Sequence, residues 1–155
     1  MAIPKMKTAL AVLFALVTSV HLLHAEVTEW KQVPEILSRI VAPKFPARDF
    51  DITQFGAKAD GQADCTAAIA KAIAAAAKAG GGHVVIPAGE FLTGPIHLQS
   101  NVELHLAATN SVLKFSTDPK KYLPVVATRF EGMECYNYSP LIYAYGQENV
   151  AVTGL

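Results

Sequence analysis

Residues 84–115 read VVIPAGEFLTGPIHLQSNVELHLAATNSVLKF, and this stretch decides the fold. Short apolar pieces follow one another: Val84–Ile86, Phe91–Thr93, Ile96–Leu98, Val102–Leu106 and Val112–Phe115. Pro87-Ala88-Gly89, Gly94-Pro95, Ser100-Asn101 and Thr109-Asn110 separate them, each a turn signal. In Val102-Glu103-Leu104-His105-Leu106 apolar and polar residues alternate strictly, which turns Val102, Leu104 and Leu106 inward. Leu113 and Phe115 do the same around Lys114. Val84 to Val102 is 18 residues and Phe91 to Leu113 is 22. Strands of three to five residues recurring at about 20 predict rungs of a parallel β-solenoid. A hairpin meander needs connections that reverse direction. The turns here are short and lack the Asn-Gly or Asp-Gly pairs favoured in tight hairpins. Composition and period leave a β-sandwich open as the alternative.

Upstream, Cys65–Ala79 reads CTAAIAKAIAAAAKA, which predicts a helix over about 65–79. Alanine is the best helix former and nothing interrupts the run. Asp64 or Thr66 can accept from the free N–H groups at its start, and Gly80-Gly81-Gly82 ends it. A phosphate loop would need strand, glycines, then helix; here the order is reversed, so nucleotide binding is excluded. Further upstream, Phe50, Ile52 and Phe55 alternate with polar residues and predict a short strand. The loop 56–64 (GAKADGQAD) follows it. Val33, Ile36, Leu37 and Ile40 fall at helical spacing, and VAPKFP at 41–46 reads as an extended connector.

The N-terminus carries Lys5 and Lys7, then the apolar run TALAVLFALVTSVHLL at 8–23, then Ala25. This is the pattern of a secretory signal peptide over 1–25, with a buried N-terminal helix as the alternative. The formal net charge of the 155 residues is zero, from 13 basic and 13 acidic residues. Removing 1–25 leaves 11 basic against 13 acidic residues, a net of −2 on an exported chain. The expected organisation is 1–25 signal, 26–46 N-terminal segment and linker, and 47–155 solenoid. With no basic run, binding to nucleic acid through phosphate neutralisation is excluded. No uninterrupted apolar stretch reaches the 18 residues of a membrane span.

Downstream, Asp118–Tyr138 (DPKKYLPVVATRFEGMECYNY) is a polar and aromatic insertion. Leu141–Tyr145 and Val150–Thr153 then resume the strand pattern, which stops at Leu155 without a polar cap. The expectation is a solenoid cut off there rather than finished. The insertion is the most function-like segment, with Tyr122, Arg129, Phe130, Tyr136 and Tyr138 beside Lys120 and Lys121. Aromatic faces and a fixed cation suit an acidic sugar, so Arg129 is the candidate substrate contact. The alternative pairs Arg129 with Glu131 or Glu134. Asp60 and Asp64 read as a turn and a helix start. His83, His97 and His105 share no metal-ligand spacing and fall at outward or surface positions. Cys65 and Cys135 can form one disulfide or stay as two thiols.

From Phe45 to Gly154 the chain resembles the N-terminal part of glycoside hydrolase family 28, the polygalacturonase group of the pectate-lyase-like superfamily. The resemblance runs through FDITQFGAKADGQADCTAAIAKAI at 50–73 and AGGGHVVIPAGEFLTGPIHLQSNVELHLAATNSVLKFS at 79–116. It continues through DPKKYLPVVATRFEGMECYNYSPLIYAYGQENVAVTG at 118–154. It points to a bacterial, exported member. It implies a right-handed parallel β-helix whose first rungs are capped by the Ala-rich helix. It also implies inverting hydrolysis of α-1,4-galacturonic linkages in pectin, an acidic plant polysaccharide, without metal or organic cofactor. The family's catalytic motifs, Asn-Thr-Asp, Asp-Asp, Gly-His-Gly and Arg-Ile-Lys, are not among these residues. Asp64-Cys65, Gly82-His83-Val84 and Arg39-Ile40-Val41 each miss the pattern. No catalytic residue is therefore assigned, and the catalytic groups are expected beyond Leu155. A lyase or acidic-sugar epimerase on the same scaffold, or a non-catalytic β-helix, is the alternative.

Overall fold

The structure, a computed structural model, describes residues 29–155. The signal segment 1–25 lies outside them. The described residues divide after Ala42 into two compact units. In the first, a single 3-10 turn (Glu29–Gln32) leads into a short helix, Val33–Arg39, with Pro34 in its opening turn. Proline is tolerated there because the first helical N–H groups have no intrahelical partner. No described helix is long and apolar enough to cross a membrane.

The second unit is a parallel β-helix. Its strands are β1 (Asp49–Asp51), β2 (Asp60–Asp64), β3 (Gly82–Ile86), β4 (Gly89–Thr93) and β5 (Ile96–His97). β6 (Val102–Leu106), β7 (Ser111–Phe115), β8 (Val126–Phe130), β9 (Met133–Asn137), β10 (Ile142–Tyr143) and β11 (Ala151–Gly154) follow. Three parallel sheets form: sheet A in the order β1-β3-β6-β11, sheet B as β2-β4-β7, and sheet C as β5-β10. The chain visits A, B and C in turn and then starts the next rung. Its first circuit places the Ala-rich helix (Thr66–Lys78) between β2 and β3, where later circuits carry β5 and β10.

The register explains the core. Val84 pairs with Leu104 and Ile86 with Leu106, so the repeat between β3 and β6 is 20 residues. Phe91 pairs with Leu113 on sheet B, at the expected 22. Stacking puts inward residues on inward residues. Val84, Ile86, Phe91, Val102 and Leu104 are fully buried, together with Ile52 from the first rung. The helix adds Ala68, Ile69, Ala72, Ile73 and Ala76 to the same cluster. Burying each Leu, Ile or Phe side chain contributes about 1.5–3 kcal/mol. Cys65 joins this core as a free thiol, and Cys135 on β9 is also unpaired.

Helix and turns end where the backbone chemistry requires. Gly80 (φ 85) donates to Ala77 O and Gly81 (φ 114) to Ala76 O, which satisfies the last free carbonyls. A Cβ at Gly81 would lie 2.5 Å from Asn101 O, so glycine is required there. The same corner on the next two rungs holds Asn101 (φ 64) and Asn149 (φ 54). Asparagine tolerates this left-handed conformation. Its side chain then joins rungs: Asn149 Nδ2 donates to Asn101 Oδ1 at 3.0 Å and to Lys44 O at 2.9 Å.

Two expectations from the sequence need correction. Ile52–Phe55 is a 3-10 turn, not strand, because the Asp51 carboxylate accepts from Thr53 N and Gly56 closes the turn. Residues 60–64 are strand rather than loop, since Asp60 and Asp64 pair with Glu90 and Leu92 of β4 across a bulge. Within the insertion, β8 and β9 form an antiparallel hairpin around Glu131 (φ 48) and Gly132 (φ 85). Both turn residues are left-handed, as a tight two-residue hairpin demands.

Asp64 ties the insertion to the helix start. Its carboxylate accepts from Thr66 N and pairs with Lys121. The Lys121 ammonium, with the Thr66 hydroxyl and N–H, holds the Asp64 carboxyl down at about 2 against an ordinary 3.8. The contribution is present above pH 3.8 and is lost as pH falls through about 2. The side chains are 33% and 45% exposed, so the effect is modest. Unfolding midpoints measured against pH should show wild type and Asp64→Asn converging across that window. By contrast, Leu104→Ala should cost about 2–5 kcal/mol in denaturant titration at neutral pH, from lost burial plus the cavity left behind.

Candidate functional site

The outward faces of sheets A and C differ in how far their stacked side chains satisfy one another. On sheet A, Asp49, His83 and Glu103 lie in register on successive strands. His83 Nδ1 is 2.9 Å from Asp49 and its Nε2 is 3.4 Å from Glu103. Thr153 Oγ1 donates to Glu103, and His105 Nδ1 meets Thr153 Oγ1 at 2.7 Å. His83 and His105 are thus consumed in cross-rung contacts. Among the described residues, no group of three or more His, Cys, Asp or Glu side chains is placed to hold a metal.

Sheet C is different. His97 on β5 lies beside Tyr143 on β10, their ring centroids 5.0 Å apart. Tyr145, two residues further on, stacks on Tyr143 at 6.2 Å with the rings 3° from parallel. The Tyr143 hydroxyl donates to Ala127 O at 2.6 Å and so binds the hairpin to the sheet. Burial raises the Tyr143 phenol above its usual value, with Tyr145 and Tyr136 adding to the effect. The group stays protonated and remains a donor.

Between hairpin and sheet lies a cavity of about 420 Å3, lined by Ala127, Thr128, Arg129 and Glu134 on one side and Ile142–Tyr145 on the other. Arg129, the candidate substrate contact of the sequence reading, is among the residues lining this cavity. It faces Glu134 across the hairpin ladder, yet among the described residues it forms no ion pair with Glu131 or Glu134. Its Nε donates to Gly132 O at 3.2 Å, which orients the guanidinium while its terminal nitrogens remain for a ligand. A second cavity, of about 370 Å3, lies between the Ala-rich helix and β5, with Lys121 and Leu123 at its edge.

The insertion residues separate into two groups. Phe130, Tyr136 and Tyr138 are exposed on or beside the hairpin. Tyr122 is buried and donates its hydroxyl to Ser116 O, a structural contact. Asp60 opens β2, where the N–H groups of Ala63 and Gln62 hold its carboxyl below the usual value. Lys121 is drawn to Asp64 rather than to Arg129. Sequence reasoning missed Tyr143, Tyr145 and the partner of His97. The signal was present in Leu141–Gly146 (LIYAYG), where Tyr143 and Tyr145 alternate on one face. Register with His97 across the insertion was not readable.

Residues 50–139 match the family described as rhamnogalacturonase A/epimerase, pectate lyase-like. The chain is 51% identical to a hyperthermoactive exopolygalacturonase of Thermotoga maritima, with a TM-score of 0.74, covering 80% of this chain and 27% of that one. It is 27% identical to a family 28 exopolygalacturonase of Yersinia enterocolitica, with a TM-score of 0.56, covering 70% of this chain and 20% of that one. A mannuronan C5-epimerase of Azotobacter vinelandii, AlgE3, is 47% identical over 62 residues, 35% of this chain and 3% of its own length. The chain thus spans a small part of the length of each of these proteins.

The hairpin's attachment can be tested directly. Tyr143→Phe leaves Ala127 O without its donor and should cost about 1 kcal/mol of stability. Hydrogen exchange should show faster opening of residues 126–137 than of β6, whereas unchanged exchange at the hairpin would mean that the Tyr143 bond does not secure it.

Proposed function

Because the chain belongs to the rhamnogalacturonase A/epimerase, pectate-lyase-like family, we propose that it forms the first rungs of a secreted, polygalacturonase-like glycoside hydrolase. The substrate is polygalacturonate, cut at α-1,4-galacturonic linkages with inversion. The observation that carries this reading is the 51% identity and TM-score of 0.74 with the Thermotoga exopolygalacturonase, over 80% of this chain. On this reading the winding is right-handed, the helix Thr66–Lys78 caps the N-terminal end, and residues 1–25 direct export.

The chemistry divides along the chain. Inverting hydrolysis needs two carboxyl groups about 6.5–9.5 Å apart, one to protonate the leaving oxygen and one to activate water. The cavity beside the hairpin offers one carboxylate, Glu134. On this reading the acid and base come from later rungs, and the role of this segment is to hold substrate. Arg129 grips a galacturonate carboxylate through its terminal nitrogens, while the rings of Tyr143 and Tyr145 offer faces to the sugar. A same-scaffold epimerase or lyase is the second reading, supported by the match to the mannuronan C5-epimerase.

Titration with polygalacturonate and with alginate separates the two, tighter binding of alginate favouring the second. Arg129→Ala should weaken polygalacturonate binding by about tenfold or more, the worth of a charge-assisted hydrogen bond. The 155-residue chain alone should release no reducing ends from the polymer. Unchanged binding in the variant rejects the Arg129 role, and measurable turnover rejects the division of labour.

A further inference from the structure

His97 carries an inference that no motif announces. Its Nε2 lies 2.8 Å from Ser139 Oγ, and Ser139 is 6% exposed. The Ser139 hydroxyl has one proton, which it donates to Pro140 O at 3.1 Å. With that proton directed at Pro140 O, Ser139 Oγ accepts from His97, an arrangement that assigns the ring proton to Nε2. In the neutral ring Nδ1 is then an acceptor with its lone pair unused by Ser139. Ser139 N in turn donates to Tyr122 O at 3.0 Å, which fixes the serine itself. The imidazole is thus set in one tautomer from behind and held against Tyr143 from the side.

His97 lines the cavity between β5 and the Ala-rich helix. The cavity's volume, about 370 Å3, falls within the range of small-ligand sites. Ile73 and Leu123 give it apolar walls, and Thr66, Gln99 and Lys121 bring polar groups. Asp64 takes one of the three Lys121 donors and leaves two. Next to it, through the His97–Tyr143 ring pair, lies the cavity that holds Arg129.

We propose that the cavity at His97 is a second sugar position, which takes a neighbouring uronate residue of the chain held at Arg129. His97 Nδ1 accepts from a ring hydroxyl, Gln99 bonds a second hydroxyl, and Lys121 faces the carboxylate. The two cavities form one track along the outward face of sheet C, with the rings of His97 and Tyr143 as its floor. The occupant follows from continuity: a polymer gripped at Arg129 meets the second cavity next, and its repeat carries the hydroxyls and the negative charge that this cavity complements. This inference rests on the proposed polygalacturonate reading.

The test is calorimetric titration of the whole chain with galacturonate and digalacturonate. A two-position track makes the dimer bind about tenfold tighter than the monomer. His97→Phe keeps a ring against Tyr143 but removes the acceptor, so dimer affinity should fall toward that of the monomer. Ser139→Ala frees the tautomer and should reduce the gain in the same direction. A purely structural role for His97 would lower both affinities together. Equal binding of monomer and dimer to wild type, or a gain that survives His97→Phe, overturns the second position while the polygalacturonate reading stands. Failure of both sugars to bind overturns that reading and this inference with it.

Discussion

Parallel pairing in register places like position on like position, and everything else in the β-helix follows from it. A strand alternates its side chains between two faces. When rungs stack without slippage, one face becomes a continuous core and the other a continuous file of surface groups. Val84 over Leu104 and Phe91 over Leu113 build the first. His97 over Tyr143 builds the second. A one-residue slip would exchange the two files, so the core that stabilises the fold also fixes the site. Glycine and asparagine at the sheet A corner hold that register. Gly81 allows the close approach of Asn101, and Asn101 and Asn149 link successive rungs through their side chains.

The two outward files show what the scaffold leaves available. On sheet A the charges close on each other, from Asp49 through His83 and Glu103 to Thr153 and His105. Such pairs contribute little on an exposed surface, but they leave few groups for a ligand. On sheet C the insertion changes the balance. Ile96 follows Thr93 by three residues, whereas Ile142 follows Phe115 by 27. The extra chain forms a hairpin that walls one side of the sheet and puts Arg129 in a cavity lined also by Tyr143 and Tyr145. The structural asymmetry between the two outward files thus comes from one lengthened corner.

Local signals made much of this legible. The alternation in 102–106 and the Ala-rich run are short-range patterns, and they correspond to β6 and the helix Thr66–Lys78. Arg129 stood out for the chemistry around it, and it lines a cavity. What escaped depended on partners far along the chain. β2 has a loop-like sequence, and its strand character comes from pairing with β4. The hairpin turn uses Glu131-Gly132 instead of Asn-Gly, so a left-handed non-glycine residue was needed to make it. His97 meets Ser139 across 42 residues, and neither residue points to the other in sequence. Surface histidines look solvated in sequence because their acceptors arrive from adjacent rungs.

The central claim is that the outward face of sheet C, and not that of sheet A, receives an acidic sugar chain. NMR shift mapping of the labelled chain with tetragalacturonate tests it most directly. The account predicts perturbations concentrated at His97, Arg129, Tyr143 and Tyr145, with His83, Glu103 and His105 unmoved. Perturbations centred on His83, Glu103 and His105, or none at either face at saturating sugar, would contradict it.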